Sequence, residues 1–507
     1  MTRPINRLAI SLCVMLATIM QALDTTIANV ALPYMQGSLS ASQDQINWVL
    51  TSYIVAAAIM TPPTGWLAAR FGRTRVLLLA VGGFTIASVL CGLAQSLEQI
   101  VIYRMLQGVF GASLVPLSQS VLLDINPREK QGTAMAMWGV GVMVGPILGP
   151  TVGGWLTENY DWRYVFFINV PVGVIALFGI ATFLPETRRG FAGRFDWFGF
   201  AALSLGIGAF QLMLDRGEQL DWFGSTEIIV EAVLAGLGFY LFLVQLVTAE
   251  KPFVSTRLFA DRNFVVGIVF IFAIGIVLMA TLALLTPYLQ TMMGYPVVDA
   301  GIVLAPRGAG TMIAMLLAGQ LLGKMDTRWI IFAGLAITAH ALWTMTRFTP
   351  QVSEATIIVS GFEQGLGLGF VFVPLSTVTF ATLTPELRME ATGIYSLCRN
   401  IGSAIGISIM MTLLQNNTQQ NHAEISSYVT GFNRLFQSGA AAQIWNPMTE
   451  MGRAALDGTI TMQAAAIAYI DDFKLMMVIS IAAMPLVLLF RKSEQPPATG
   501  LAHSVLE

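Results

Sequence analysis

Apolar runs of about the length that carries a helix across a bilayer, ~20 residues, recur from one end of the chain to the other with short polar breaks between them. None shows the period-two alternation of a membrane barrel strand, and in lipid only helices and closed barrels satisfy every backbone polar group. The runs therefore predict an all-α polytopic membrane protein. Charged or Pro/Gly-rich breaks place spans near 8–33, 44–69, 76–95, 98–123, 132–156, 163–184, 197–214, 226–248, 264–290, 297–323, 329–347, 354–380, 389–415 and 472–490, fourteen in all. The first run reads as a full span and not as a cleavable leader. One sizeable hydrophilic segment, 416–471, separates the last two spans and is rich in Gln, Asn, Ala and Ser. Helical stretches over 433–443 and 448–469 are expected within it; a flexible tether and a partner-docking hairpin are both open readings.

Charge adds an orientation. With the N-terminus in the cytoplasm, the loops on that side carry eighteen Lys and Arg residues, among them Arg70, Arg73, Arg75 and Arg388, against six on the opposite side. By the positive-inside rule both termini face the cytoplasm and 416–471 is external. One missed span would invert every later loop, so the asymmetry also supports the count.

Composition excludes other classes. The chain is 55% hydrophobic and 11% charged, against roughly 25% charged in soluble domains. A net charge of −2 gives no nucleic-acid signal, and Cys13, Cys91 and Cys398 all fall in spans, which argues against a disulfide framework. The three histidines, His340, His422 and His503, form no metal or hydrolase motif, and no nucleotide-binding loop is present, so an enzyme and an ATP-driven pump are both disfavoured.

A faint internal repeat divides the chain. Gly111 and Gly369 are each separated by four residues from a Pro-Leu-Ser triplet that begins at Pro116 and Pro374, and Pro127 and Pro385 follow eleven residues after those prolines. The copies occupy equivalent places if residues 1–184 and 264–490 are two six-helix halves. Residues 185–263 are then a linker with two inserted spans, and 491–507 a cytoplasmic tail.

A charge at the centre of a bilayer costs roughly 2.5–3.5 kcal/mol on insertion scales, so each intramembrane ionisable residue is a candidate for function. Asp24 lies deep in the first span, and a carboxyl that cycles between protonated and ionised forms is what a proton carrier needs. A carboxylate permanently hydrogen-bonded by Thr25, Asn29 or a neighbouring helix is the structural alternative. Arg104 cannot lose its proton, so it pairs or tunes. Glu363 and Arg399 are deep enough to pair across neighbouring helices, with Glu363 a second possible proton site; Arg307 is expected to satisfy carbonyls around Pro306, and His340 to be structural.

Five motifs then resemble one family. Leu23-Asp24-Thr25-Thr26-Ile27-Ala28-Asn29-Val30-Ala31-Leu32-Pro33 looks like the first-span signature of the fourteen-span drug:proton antiporters of the EmrB/QacA type, within the major facilitator superfamily. Gly65-Trp66-Leu67-Ala68-Ala69-Arg70-Phe71-Gly72-Arg73 resembles the superfamily's loop motif, and Arg104-Met105-Leu106-Gln107-Gly108 its fourth-span motif. The run from Gly141 to Gly154 resembles the fifth-span antiporter motif, with Gly141, Gly145, Gly149 and Gly153 on one helix face and Pro146, Pro150 and Gly154 among them. Trp162-Arg163-Tyr164-Val165-Phe166-Phe167-Ile168-Asn169-Val170-Pro171 resembles the opening of the sixth span.

The resemblance implies two parallel six-helix halves around a midplane substrate site, with multidrug export driven by a proton gradient and no cofactor. It gives Arg104 a part in proton coupling and the glycine run a tightly sealed interface. Its EmrB branch implies an inner-membrane pump working with a periplasmic adaptor protein and an outer-membrane channel on small lipophilic substrates. Export of an endogenous metabolite, lipid or siderophore is the alternative. One departure stands out: Ala69 occupies the place of the loop motif's usual aspartate, leaving Arg70, Arg73 and Arg75 without that partner for a charge-relay latch.

Overall fold

The computed structural model describes residues 6–186, 194–250, 252–429, 444–446 and 448–491. Thirteen helices among them are long and apolar enough to cross a membrane. In chain order with a fourteenth, shorter one they are α1 (Arg7–Ser38), α2 (Trp48–Met60), α3 (Arg73–Leu93), α4 (Leu97–Ile125), α5 (Arg128–Asn159), α6 (Tyr164–Phe183) and α7 (Trp197–Arg216). Then follow α8 (Thr226–Thr248), α9 (Arg262–Met292), α10 (Val297–Leu321), α11 (Thr327–Met345), α12 (Glu354–Phe380), α13 (Pro385–Ser427) and α14 (Glu450–Leu489). The short one is α2, whose predicted span 44–69 is broken after Met60 and resumes as Thr64–Phe71. Pro62 and Pro63 explain the break, since each lacks an N–H and crowds the preceding turn.

The starts of helices follow their sequences. Asn6, Ser96, Asp196, Asp261, Asp326 and Ser353 cap α1, α4, α7, α9, α11 and α12 by accepting backbone N–H groups of the first turn. Apolar faces turned away from the bundle meet lipid: α8 exposes Leu237, Tyr240, Leu243 and Val247 along one side.

Segment 416–471 differs from the expected break. Its flanks are continuations of α13 and α14, which run together: Asn421 Nδ2 donates to Ala464 O at 3.4 Å, and His422 lies 2.9 Å from Asp457. The helix expected over 448–469 is the first part of α14, so the helix that carries the last span starts well before 472. The stretch expected over 433–443 lies outside the described residues, as does the tail beyond Arg491.

Helices α1–α6 and α9–α14 form two like halves. α1 packs on α5 as α9 packs on α13, α2 on α4 as α10 on α12, and α3 on α6 as α11 on α14. The inserted α7 and α8 pack on each other, and α7 also touches α2 and α13. Between the halves α5 lies along α10, and the resumed segment Thr64–Phe71 meets α13. The end of the bundle carrying Arg73, Arg328 and Arg388 is called the basic end below.

Candidate functional site

α1, packed on α4, α5 and α6, brings Asp24 fully buried to the middle of the first half. Its Oδ2 accepts from Arg104 Nη1 at 2.6 Å, and its Oδ1 from Gln107 Nε2 at 2.8 Å and Asn169 Nδ2 at 2.9 Å. Three donors thus converge on one buried carboxylate, one of them charged. Arg104, equally buried, has two further acceptors: Nε donates to Val49 O at 3.0 Å and Nη1 to Gln107 Oε1 at 2.7 Å. Its guanidinium carbon sits 4.3 Å from the centre of the Tyr53 ring, a cation–π contact. Ser88 closes the ring, accepting from Asn169 at 3.0 Å and donating to Phe166 O at 2.9 Å.

The motifs named Asp24, Arg104, Gln107 and Asn169, but only two of them were singled out. Gln107 follows Arg104 by three residues on one helix face, the signal that would have found it; Ser88 and Tyr53 carry no such signal. Thr25 and Asn29 do not bind Asp24, since Thr25 Oγ1 donates back to Ala22 O at 2.9 Å, but the third arrangement of the structural alternative is present: the carboxylate is hydrogen-bonded by neighbouring helices.

The glycine face of α5 packs on α1, either side of Asp24. Any side chain on Gly145 would run into the Ala22 backbone, on Gly149 into Thr26, and on Gly153 into Ile27. Thr26 Oγ1 donates across the contact to Gly145 O at 3.0 Å. Gly141 faces Met15 and Ile19, while Gly154 lies near Val298 of α10. Pro146 and Pro150 belong to the same helix, but their side chains lie outside the described ones. The opposite face of α5 meets α10, with Gly139 against Met315 and Ile147 against Gly308. One helix therefore touches the Asp24 helix on one side and the other half of the molecule on the other.

At the basic end the loop motif finds partners despite Ala69. Arg73 pairs with Asp124 at the end of α4, and Arg388 Nη1 of α13 approaches the other carboxylate oxygen at 3.9 Å. Arg75 pairs with Glu186. Asp124 so joins a loop-motif arginine of the first half to an arginine of the second, a link the loop motif did not predict. Gly65 lets the chain pass against the Glu390 backbone, and Gly72 adopts φ +94°, which a side chain would strain. Arg70 is exposed.

Glu363 and Arg399 do not pair. Glu363 lies 2.7 Å from His340 Nδ1, on a side of α11 and α12 where both are partly exposed. Among the described residues the Arg399 side chain donates to its neighbour Asn400, at 3.5 Å, and Arg307 reaches Leu278 O of α9 at 2.9 Å and not the carbonyls near Pro306. Among the described residues no His, Cys, Asp and Glu cluster could hold a metal ion.

The family profile described as Major Facilitator Superfamily matches residues 14–407. The chain is 38% identical over 420 residues to the multidrug export protein EmrB of Escherichia coli K12, covering 82% of each chain. It is 35% identical over 480 residues to the fatty acid resistance protein FarB of Neisseria gonorrhoeae, covering 94% of this chain and 95% of that one. Among solved structures it resembles the proton:xylose symporter XylE bound to 6-bromo-6-deoxy-D-glucose, with a TM-score of 0.61 at 14% identity over 96% of this chain and 99% of the other. The human organic anion transporter MFSD10 gives 0.60 at 13% identity over 94% of this chain and 100% of the other. At such identities these two likenesses speak for the fold alone.

Proposed function

The chain belongs to the major facilitator superfamily as a multidrug efflux transporter and not an enzyme, and from that premise we propose that protons drive its export through Asp24. What supports the reading is the complete burial of the Asp24–Arg104 pair together with the two acceptors Arg104 keeps elsewhere, which let the pair part when Asp24 takes a proton; the three donors hold the charged carboxylate and must be released for that step. Ionised, Asp24 holds α1 to α4 and α6. Protonated, it loses its charge attraction for Arg104, which keeps the Val49 carbonyl and Gln107 Oε1 as acceptors. The loosened α1 bears directly on the glycine face of α5, and α5 on α10, so the proton's arrival is felt between the halves.

The basic end faces the cytoplasm, both termini lie there, and the protein resides in the inner membrane. The paired extensions of α13 and α14 then project outward as the docking place for a periplasmic adaptor that leads to an outer-membrane channel. Shortening 420–465 is expected to abolish adaptor cross-linking while pump-only transport persists; loss of transport in the adaptor-free assay refutes docking as its role. Proton drive itself is tested in liposomes with an imposed pH gradient and a lipophilic dye. Uphill movement that collapses when an ionophore dissipates the gradient is expected; a rate indifferent to the gradient refutes it.

A further inference from the structure

The two halves are not joined equally along their length. Toward the basic end one continuous cluster of buried apolar side chains spans both, with Trp138 of α5 stacked on Phe372 of α12 at 6.0 Å between ring centres. Toward the opposite, far end each half has a cluster of its own: Met35, Val49 and Trp162 belong to one, Tyr288, Phe348 and Phe473 to the other. The halves are therefore shut together at the basic end and more loosely joined at the far end, one of the arrangements between which a two-half transporter rocks.

Two seams run between the halves. Along one, α5 lies on α10. Along the other, the first half meets α13 near the basic end, where side chains on Gly65 and Gly393 would crowd the Glu390 backbone and the Thr61 carbonyl. Toward the far end of this second seam the inserted α7 lies on both α2 and α13. Asp215 of α7 accepts from the Thr51 hydroxyl of α2, and the Arg216 guanidinium carbon lies 5.6 Å from the Trp48 ring centre. On the other side Ser408 of α13 donates to Leu214 O at 2.9 Å, and in the turn after α7 Trp222 Nε1 donates to Thr412 Oγ1 of α13 at 3.1 Å. Three consecutive residues, 214–216, thus grip both halves. The turn itself is strained: Asp221 and Trp222 stand at φ 58° and 47°, a region that bulky side chains seldom occupy. Such a backbone persists where its surroundings hold it, and here the Trp222 N–H donates to Gly217 O at 2.7 Å while its ring is bonded to α13.

A helix bonded to both sides of a seam keeps both sets of bonds at one separation of the sides only. When the halves rock, Thr51 and Ser408 shift relative to each other and one set must break. The bonds made here therefore weigh toward the arrangement seen here.

We propose that the inserted helices are a strap: α7 holds the far ends of α2 and α13 at this separation, and Asp215 is the positioning residue that fastens it to the first half. The inference rests on the rocking of the halves and not on proton coupling, so failure of the Asp24 reading would leave the results below as they are.

The test reads the separation of the halves at the far end in the full-length protein in nanodiscs, by spin-label distance measurement between Ser38→Cys and Ala355→Cys, both at exposed positions, in a background without native cysteines. Thr51→Val, which keeps the branched shape and drops the hydroxyl, and Asp215→Ala should each raise the ratio of short to long distances by about tenfold, the weight of one charge-assisted hydrogen bond. Combined, they should shift it no further than either alone, because both remove the same bond. Thr51→Ser, which keeps the hydroxyl, should hold the wild-type ratio and so separates the bond from mere packing at this site. Trp222→Phe should move the ratio in the same direction through the other fastening. Unchanged distances, a shift toward longer ones, additive effects of Thr51→Val and Asp215→Ala, or a Thr51→Ser protein that behaves like Thr51→Val would each overturn the proposal.

Discussion

Replacing Asp24 by Asn keeps the shape of the side chain and removes its charge. The consequences can be counted from the three bonds it accepts. The amide has one oxygen, and its NH2 would meet a donor: Arg104 on one side, or Gln107 and Asn169 on the other. Arg104 is left buried without its counter-charge, an error that costs about 3–5 kcal/mol when one partner of a buried pair is removed. Its bonds to Val49 O and Gln107 Oε1 survive, so the lower end, about 3 kcal/mol, is expected. The variant should therefore insert, unfold at lower temperature, and fail to accumulate or expel substrate against a gradient in liposomes. A second change, Arg104→Gln, removes the orphaned cation and should restore most of the stability without restoring uphill transport. That split separates the structural role of the pair from its proton chemistry. Wild-type uphill rates in Asp24→Asn would refute the assignment, and Glu363→Gln would then be the substitution to measure.

Gly145→Val and Gly149→Val should each slow transport by crowding α1, with an overpacking cost of about 1–3 kcal/mol; normal expression with unaltered transport would show the α1–α5 contact is not tight. Asp124→Asn should loosen the link between Arg73 and Arg388, seen as faster labelling of a Ser396→Cys probe by an impermeant thiol reagent from the basic side in a background without native cysteines; unchanged labelling refutes the link. Met448→Cys and Met451→Cys, at residues 83% and 85% exposed, should be labelled from outside intact cells, and labelling from the cytoplasm alone would sink the fourteen-span topology.

The span count was legible because each crossing must satisfy its own backbone, which forces long apolar runs into the sequence. Span 2 was legible as a run but not as a helix, since hydropathy is blind to the N–H groups that Pro62 and Pro63 lack. Asp24 and Arg104 were readable as costly charges. Their pairing was not, because eighty residues separate them and only the packing of α1 on α4 joins them. For the same reason the expected partner of Arg399 was wrong: depth in the membrane fixes how far along a span a charge lies, but not which way round the helix it points. Glu363 and Arg399 lie at suitable depths, yet Glu363 faces α11 and its histidine. The vacancy at position 69 misled in the opposite sense, because a motif names an expected partner and not the others within reach. Asp124, fifty-one residues from Arg73 in sequence, takes the arginine that Ala69 cannot.

The two faces of α5 place a constraint on any mechanism. At Gly145 the contact is backbone against the Ala22 backbone, which leaves α1 and α5 little room to slide past each other. The α10 face carries side chains such as Ile147 and Met315 that can repack as the halves rock. A charge change at Asp24 therefore has its stiff route through α5 and its compliant step at α10, an arrangement in which the proton site lies within one half while the movement it controls lies between the two. Stiffening the compliant step should accordingly slow transport without altering protonation: Gly139→Leu, set against Met315, should lower the maximal rate and leave its pH dependence in place. A shifted pH profile would mean that the α5–α10 contact takes part in proton binding itself, and the division of labour between the two faces would fall.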